Sequence, residues 1–415
     1  MSRPYPPPIA ARDGRPRLGL FLNMPMLDVD GDLSARYPHL FDFFLSLGAH
    51  TSVTWLCLPL LRADGPRPGY GPVEPPPNVR ILGLPHWSSA ASLARRVLLI
   101  VPVSLWRIAR NLRHWDVVGA VVPSIVGDML VFCARASGRP VFLLVRGEKQ
   151  RTLSWMMSPG LRRRRYLLAL RLMERPVRRW VAAGVPTFVA GDELRERYVG
   201  PDARIYDLYP ALSRDFPMAP TARRARGGRL LQLITVARLS PEKGIDDLLE
   251  AVELLARDGR DVRLVVAGDG PDAGRLRGLA AARGVAERVR FAGFVPHGPE
   301  LVALLDDADV FVLPSRSEGL PHSLVEALAR GLPAIVSDVG GMPRLLAGGA
   351  GVVVAQQRPD ELARAVAALD DDPGERERLS ARSLEVAGRL APEAQLTELR
   401  ARLSEAYPAL GWGEP

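Results

Sequence analysis

The sequence predicts an α/β protein with two domains, each a parallel sheet covered by helices on both faces. Its 415 residues exceed the roughly 250–300 residues over which a single hydrophobic core grows. Short apolar runs alternate with amphipathic segments of helical spacing in both halves, which is typical of parallel sheets. Apolar residues make up 47% and charged residues 24% of the chain, proportions that exclude a disordered or collagen-like protein.

The two halves are separated by a stretch without hydrophobic periodicity. Pro, Arg and Gly cluster over 217–228, which we interpret as a linker between an N-terminal domain, 17–216, and a C-terminal domain, 229–392. Residues 1–16 are rich in Pro and Arg and lack a hydrophobic signal region, so we expect a disordered leader there. Residues 393–415 contain a last predicted helix.

Individual elements follow from the apolar pattern. Strands are predicted over 18–23, 51–58, 116–122, 140–145, 230–236, 262–267, 289–291, 310–313, 333–337 and 351–354. Helices are predicted over 39–47, 245–256, 321–330 and 393–407, the first three closed by Gly48, Gly259 and Gly331. Residues 62–78 are dense in Pro and Gly and are predicted to form a loop.

Cysteine content and apolar run length exclude several classes of protein. Only Cys57 and Cys133 are present, so a disulfide framework and a cysteine-rich zinc module are excluded. Nothing in the chain calls for an oxidising compartment, and a cytosolic location is expected. No run of about 18 apolar residues occurs, so no transmembrane helix is expected.

The net charge of +9 is unevenly distributed. Residues 1–215 hold 30 basic and 17 acidic side chains, whereas the remainder holds 25 and 29. A basic first half indicates an anionic partner, such as a membrane surface, a nucleic acid or an anionic substrate. Only two of the 55 basic residues are lysines, Lys149 and Lys243, a bias typical of coding-sequence composition.

The strongest motif covers 313–327, L-P-S-R-S-E-G-L-P-H-S-L-V-E-A. It follows a predicted strand and opens a helix, and Pro321 suits the first helical turn. The free amides of that turn would form an anion site. Glu318 before the helix and Glu326 roughly 7–8 Å further along its axis suit a ligand with two hydroxyl clusters. The alternative is that both glutamates are solvated helix-end charges.

Three further motifs follow strands of the same half. In V-A-R-L-S-P-E-K-G-I, 236–245, Arg238 and Lys243 offer the fork and the point charge that suit a diphosphate, although a solvated surface turn is the alternative. V-V-A-G-D-G-P, 265–271, carries glycines that let a backbone approach a ligand or a turn. F-A-G-F-V, 291–295, would offer backbone groups to a nucleotide base. Each of the last two motifs alone is a weak signal.

Together these four motifs, in this order, resemble the family-4 retaining glycosyltransferases, which have the GT-B architecture of two Rossmann-like domains with a cleft between them. The resemblance covers about 228–345. It implies that Arg238, Lys243 and Glu318 are catalytic. Arg238 and Lys243 would bind the diphosphate of a UDP- or GDP-sugar, and Glu318 would contact the hydroxyls of the transferred sugar. It also implies a last helix that crosses back to the first domain. The implied donor-binding residues are Gly31, Gly268, Phe294, Val295, Gly319, Leu320, Pro321 and Glu326, with Glu326 on the ribose.

The first half resembles the family more loosely. The usual Gly-Gly loop after the first strand is replaced by M-P-M-L-D-V-D-G-D, which retains only Gly31, and V-V-P-S at 121–124 lacks the usual histidine. Arg146, Glu148 and Lys149, in V-R-G-E-K-Q, are expected to face the cleft on the acceptor side. In the second half, 340–344 reads G-G-M-P-R where the family usually has Glu after Pro.

The implied chemistry is transfer of a sugar with retention of configuration, without a cofactor or a metal. Arg238, Lys243 and the helix amides would stabilise negative charge on the leaving diphosphate. A glycan or lipid-linked acceptor in bacterial envelope or exopolysaccharide synthesis is implied. Asp28 and Asp30 match a metal-binding carboxylate pair of another class only superficially. The alternatives are a sugar-nucleotide epimerase, a phosphorylase or a non-catalytic nucleotide-sugar-binding relative.

Two arginine-rich segments of the first half suggest the partner surface. Residues 95–113 and 162–179 mix arginines with Leu, Val and Trp, a composition typical of helices on an anionic membrane. The alternative is an ordinary packed helix whose solvent face carries Arg because Lys is scarce. Nucleic acid is not expected, because no binding motif accompanies the charge. We therefore expect a cytoplasmic protein at the inner face of the cell membrane.

Overall fold

The computed structural model describes residues 14–36, 38–67, 70–86, 90–145, 160–209, 212–224 and 230–412. Most of the expected leader, 1–16, and part of the expected linker, 217–228, lie outside these ranges, so both domain boundaries stay predictions. Among the described residues, no helix combines the length and apolar character needed to cross a membrane.

The described strands of the first half form one sheet. They are Arg17–Phe21 (β1), Met26–Val29 (β2), Asp32–Ala35 (β3), Val53–Arg62 (β4), Gly71–Pro72 (β5), Val79–Pro85 (β6), Val117–Val122 (β7), Val141–Val145 (β8), Thr187–Val189 (β9) and Ile205–Asp207 (β10). Their order is β10-β9-β8-β7-β1-β4-β2-β3-β5, and β6 also pairs with β4. All pairs are parallel except β2–β3 and β3–β5.

The second half forms a sheet in which every pair is parallel. Its strands are Leu230–Val236 (β11), Asp261–Ala267 (β12), Val289–Gly293 (β13), Val310–Leu313 (β14), Ala334–Ser337 (β15) and Gly351–Val354 (β16). The order is β13-β12-β11-β14-β15-β16, so the direction of winding reverses between β11 and β14. In open parallel sheets, such a reversal leaves a crevice at the carboxyl ends of the two strands, where ligands bind.

Helices cover both sheets. Their bounds are Asp42–Ser46 (α1), Ala90–Leu112 (α2), Ile125–Ala136 (α3), Leu161–Ala182 (α4), Asp192–Tyr198 (α5), Ile245–Arg257 (α6), Ala273–Ala282 (α7), Pro299–Asp307 (α8), His322–Ala329 (α9), Met342–Leu346 (α10), Pro359–Asp371 (α11), Pro373–Arg389 (α12) and Pro392–Ala406 (α13). The last helix, α13, buries Leu396, Leu399 and Leu403 in the same cluster as Leu18 and Leu20 of β1. The C-terminal helix therefore packs on the first sheet.

The predicted fold class is confirmed, and three local predictions need correction. The M-P-M-L-D-V-D-G-D segment is a β-hairpin, because Asp30 and Gly31 both have positive φ, as a tight two-residue turn requires. The helix predicted over 39–47 is a short α-helix between two 3₁₀ turns, Pro38–Phe41 and Leu47–His50. The predicted loop over 62–78 contains β5, which extends that hairpin.

Candidate functional site

The two charged motifs meet at the reversal point of the second sheet. Because β11 and β14 are neighbours, the loops that follow them lie side by side. The Arg316 amide donates to the Glu242 carbonyl at 2.8 Å. Gly244 has a φ of 65°, and a side chain there would overlap the Pro314 carbonyl oxygen. The two loops therefore form one continuous site, which we call the switch-point site (residues 238–244 and 314–326).

Lys243 and Glu318 are brought together across this site. A 3₁₀ turn, Pro241–Lys243, directs Lys243 toward the neighbouring loop, where its Nζ is hydrogen bonded to Glu318 Oε1. Ser315 Oγ donates to the same carboxylate oxygen at 3.3 Å. Both side chains are largely shielded, with 18% of Lys243 and 11% of Glu318 exposed. A cation and a carboxylate predicted from separate motifs are thus direct neighbours.

Arg238 is held at the rim of the site by a buried carboxylate. Its Nη2 lies 2.7 Å from Glu242 Oε1, and Ser240 Oγ donates to the same oxygen at 2.6 Å. Burial alone would raise the pKa of Glu242, but the hydrogen bonds from Ser240 and Arg238 outweigh it and lower that pKa. Glu242 is therefore an ionised anchor, while about half of the Arg238 side chain stays exposed to a ligand.

Arg316 fixes the two loops to each other, and sequence reasoning did not single it out. Its guanidinium contacts Asp246 Oδ1 at 2.9 Å, Asp247 Oδ1 at 2.8 Å and the Pro241 carbonyl at 3.0 Å. The signal that could have found it is the pair of aspartates at the start of α6, which needs a nearby cation. With 10% of its side chain exposed, Arg316 is a buried bridge between the loop that follows β14 and the start of α6.

Gly268 shapes the site from the third motif. It has a φ of 141°, and a side chain there would overlap the Ala237 carbonyl oxygen. Its amide donates to the Gly293 carbonyl at 2.7 Å. The glycine therefore lets the loops after β11, β12 and β13 pack closely. Its contribution to the site is to position the loop that carries Arg238.

Phe294 and Val295 follow β13 and differ in exposure. Phe294 is 68% exposed, whereas Val295 packs against a buried cluster that includes Ile234 and Leu324. Gly319, Leu320 and Pro321 connect Glu318 to α9. Leu320 is buried in that cluster. Pro321 is the N-cap of α9 with a φ of −77° and a ψ of 134°, so the predicted place in the first helical turn is wrong by one residue.

Glu326 is a buried carboxyl group on α9. Burial raises its pKa to about 7, and burial lowers the pKa of His297, whose Nε2 lies 3.4 Å from Glu326 Oε1. An ion pair would shift both pKa values in the opposite directions. We therefore interpret the contact as one between two neutral groups, whose pKa values are both shifted mainly by burial.

The remaining predicted residues belong to the first half, in the β2–β3 turn or outside the described residues. Gly31 is in the β2–β3 turn, where its amide donates to Asp28 Oδ1 at 2.9 Å, and that hairpin pairs only with strands of the first sheet among the described elements. Asp28 also faces Arg62 at 3.6 Å. Arg146, Glu148 and Lys149 fall in 146–159, outside the described residues.

Comparison with known proteins relates the second half of the chain to a known family. Residues 224–386 match the family model described as glycosyl transferases group 1. The two parallel-sheet domains have the GT-B architecture. The structure is similar to that of sucrose-phosphate synthase from Thermosynechococcus elongatus, with a TM-score of 0.70 and 16% identity over 95% of this chain and 100% of that one. It is also similar to Anabaena Alr3699/HepE in complex with UDP, with a TM-score of 0.65 and 15% identity over 93% and 99% of the two chains.

One curated relative is similar in sequence over about half of this chain. The chain is 37% identical over 214 residues to alpha-D-kanosaminyltransferase of Streptomyces kanamyceticus, an alignment that covers 49% of this chain and 55% of the relative. The chain thus spans about half the length of that relative.

Proposed function

We propose that this protein transfers a sugar from a UDP- or GDP-linked donor to a glycan or lipid-linked acceptor, with retention of anomeric configuration. The observation that carries the proposal is the convergence of Lys243, Glu318 and Arg238 at the reversal point of the second sheet. Two cations beside a carboxylate in a partly shielded crevice suit a diphosphate joined to a sugar. The sugar transferase and the UDP complex among its relatives are consistent with this chemistry.

Each residue of the switch-point site has a proposed role. Arg238 and Lys243 bind the diphosphate, and Lys243 then lies between the phosphate and Glu318. Glu318 accepts hydrogen bonds from hydroxyls of the transferred sugar, and Glu326 does so from the ribose. The exposed ring of Phe294 and the backbone of Val295 meet the base, while the Gly319–Pro321 segment lines the phosphate.

The reaction breaks the bond between the anomeric carbon and the diphosphate oxygen. The acceptor oxygen attacks that carbon from the same face, and its proton passes to the departing phosphate oxygen. Negative charge grows on the diphosphate as the bond breaks, and Lys243 and Arg238 stabilise it by preorganised electrostatics. Because these cations supply the positive charge, we propose that the reaction needs no metal and no side-chain nucleophile.

We further propose that the first domain docks on the cytoplasmic face of an anionic membrane, where a lipid-linked acceptor of an envelope or exopolysaccharide pathway would be presented. On α4, Leu170, Val177 and Val181 are buried, whereas the opposite stripe of Arg165, Leu168, Leu172, Arg175 and Arg179 is exposed. Apolar side chains flanked by arginines suit the boundary between lipid headgroups and acyl chains.

Neighbouring helices extend the exposed stripe of α4 into a larger surface, which we call the docking face. Helix α3 contacts both α2 and α4 and carries exposed Phe132. On α2, Leu98, Leu99 and Trp106 are exposed, and the Arg110 guanidinium carbon lies 5.6 Å from the centre of the Trp106 ring. The docking face is therefore defined by α2, α3 and α4, which share one side of the first sheet.

Vesicle sedimentation tests the docking face. Wild type should bind phosphatidylglycerol vesicles at low salt and not phosphatidylcholine vesicles. A Leu168→Gln, Leu172→Gln, Arg175→Gln, Arg179→Gln variant should lose about 2 kcal/mol or more of binding free energy, since each cation near such a surface contributes about 1 kcal/mol. Arg257→Gln with Arg378→Gln, two exposed arginines of the second domain, is the matched control. Equal binding by both variants would remove membrane docking from the proposal.

A donor panel tests the function itself. Thermal unfolding is measured with UDP, GDP, ADP and their common sugar conjugates in EDTA, and nucleotide release is then followed with and without candidate acceptors. Stabilisation by one nucleotide class, with release that depends on an acceptor, is the expected result. Release that is independent of an acceptor, or interconversion of the donor sugar, would favour an epimerase. Absence of stabilisation by every nucleotide would favour a non-catalytic relative.

A further inference from the structure

The turn formed by Gly340 and Gly341 lies directly behind the loop that carries Glu318. The Gly341 amide donates to the Gly319 carbonyl at 2.7 Å. Gly340 has a φ of 62°, and a side chain there would overlap the carbonyl oxygens of Gly319 and Glu318. The position of the Glu318 loop is thus coupled to the position of this turn.

The first domain contacts the other side of the same turn. Gly191, with a φ of 108°, precedes α5, and a Cβ atom at this position would lie 2.7 Å from the Gly341 nitrogen and 2.9 Å from its Cα atom. The two domains therefore meet here backbone to backbone, with no side chain between them. A displacement of the first domain at this point would therefore press on the turn behind Glu318.

An ion-pair cluster holds this contact together. Asp207 ends β10, and its Oδ2 atom lies 2.6 Å from Arg344 Nη2 and 3.1 Å from Arg195 Nη2. Arg195 lies in α5, which follows Gly191, and Arg344 lies in α10, which follows Gly341. About 19% of the Asp207 side chain is exposed, so solvent screens these pairs only in part.

We propose that Asp207 is a positioning residue for Glu318, acting through Arg344 and the Gly340–Gly341 turn. The inference rests on the proposed donor function of the Glu318 loop. It also gives a reason for Arg344, which stands where the resembling family usually has glutamate. A glutamate at this position would place a like charge against Asp207, whereas the arginine joins the two domains.

Three variants test the proposal by separating kcat from nucleotide binding. Asp207→Asn and Arg344→Gln should lower kcat about 10-fold to 100-fold, because a displacement of about 1 Å at a reacting group has effects of this size. The Kd for the nucleotide diphosphate should change less than about threefold, because Arg238 and Lys243 are untouched. Arg344→Lys keeps the charge and should recover most of kcat. Arg260→Gln, which breaks a 2.7 Å pair with Asp371 inside the second domain, is the control.

Hydrogen exchange gives a readout that does not require turnover. The Gly341 amide should exchange about fivefold faster or more in Asp207→Asn than in wild type or the control, since the ion pairs stabilise the turn. Unchanged kcat and unchanged exchange would overturn the proposal, as would equal losses of kcat in the lysine and glutamine variants at Arg344. Faster exchange in a protein whose wild type turns over no donor would instead retain the positioning contact and reject the proposed function.

Discussion

Glu326 makes the stability of this protein depend on pH in a way that a single substitution should remove. The residue is 7% exposed, and burial raises the pKa of its carboxyl group from 4.5 to about 7. The Nε2 atom of His297 lies 3.4 Å from Glu326 Oε1, and burial lowers the pKa of that histidine. The imidazole is therefore neutral when Glu326 ionises, so it supplies no compensating charge.

The magnitude follows from proton linkage. In the unfolded chain the carboxyl group loses its proton near pH 4.5, whereas the folded protein retains it up to about pH 7. Between these pH values the folded state binds more protons than the unfolded state. The stability contributed by the protonated Glu326 carboxyl group is therefore fully present below pH 4.5 and is lost as the pH rises through 7. At about 1.4 kcal/mol per pH unit, the loss in the free energy of unfolding is roughly 3 kcal/mol.

Urea unfolding followed by circular dichroism between pH 5 and pH 8.5 measures this effect. The free energy of unfolding of Glu326→Gln relative to wild type should increase by about 2.5 kcal/mol from the low to the high end, because glutamine does not ionise. Glu405→Gln, an exposed position, should follow wild type throughout. Parallel curves for wild type and Glu326→Gln would refute the reasoning and show that Glu326 is not a buried, uncompensated carboxyl group.

Four further substitutions test the site and its packing. Glu318→Gln should largely abolish transfer while nucleotide binding stays near that of wild type, and equal loss of both in kinetics and calorimetry would mean that its role is misassigned. Arg238→Ala should weaken donor binding by about 2 kcal/mol, near the low end for charged contacts because the guanidinium is half exposed, as measured by calorimetry. Gly268→Ala should destabilise the fold by at least about 1–3 kcal/mol. Gly278→Ala in α7, where a Cβ meets nothing, should instead stabilise it by about 0.5–1 kcal/mol, and equal effects of these two on urea unfolding would contradict the packing described.

The second domain was more predictable than the first because its signals are local. Strands β11 and β14 have their predicted bounds, and each is followed within a few residues by the charged side chains of its motif. Parallel strands bring such ends to one edge, so the meeting of Lys243 and Glu318 follows from strand order. In the first domain, the β2–β3 hairpin was missed although Asp30-Gly31 is a strong turn signal, because the segment was compared with a glycine loop instead.

The partners of the predicted residues could not be obtained from sequence. Glu242 anchors Arg238 only because the 3₁₀ turn points it inward, and Arg316 reaches Asp247 across 69 positions of the chain. Asp207 ends a strand of the first sheet and Arg344 lies in a helix of the second domain, so they meet only in the tertiary structure. Such contacts depend on tertiary placement, which no local pattern encodes.

Calorimetric titration of UDP and GDP in EDTA tests the central claim most directly, that a nucleotide diphosphate binds between the Arg238–Lys243 loop and Glu318. Wild type and the Arg260→Gln control should bind one nucleotide with the same Kd. Lys243→Met should bind it more weakly by about 2–5 kcal/mol, because this cation is largely shielded from solvent. Equal affinity of wild type and Lys243→Met, or binding that requires a divalent metal, would contradict the account.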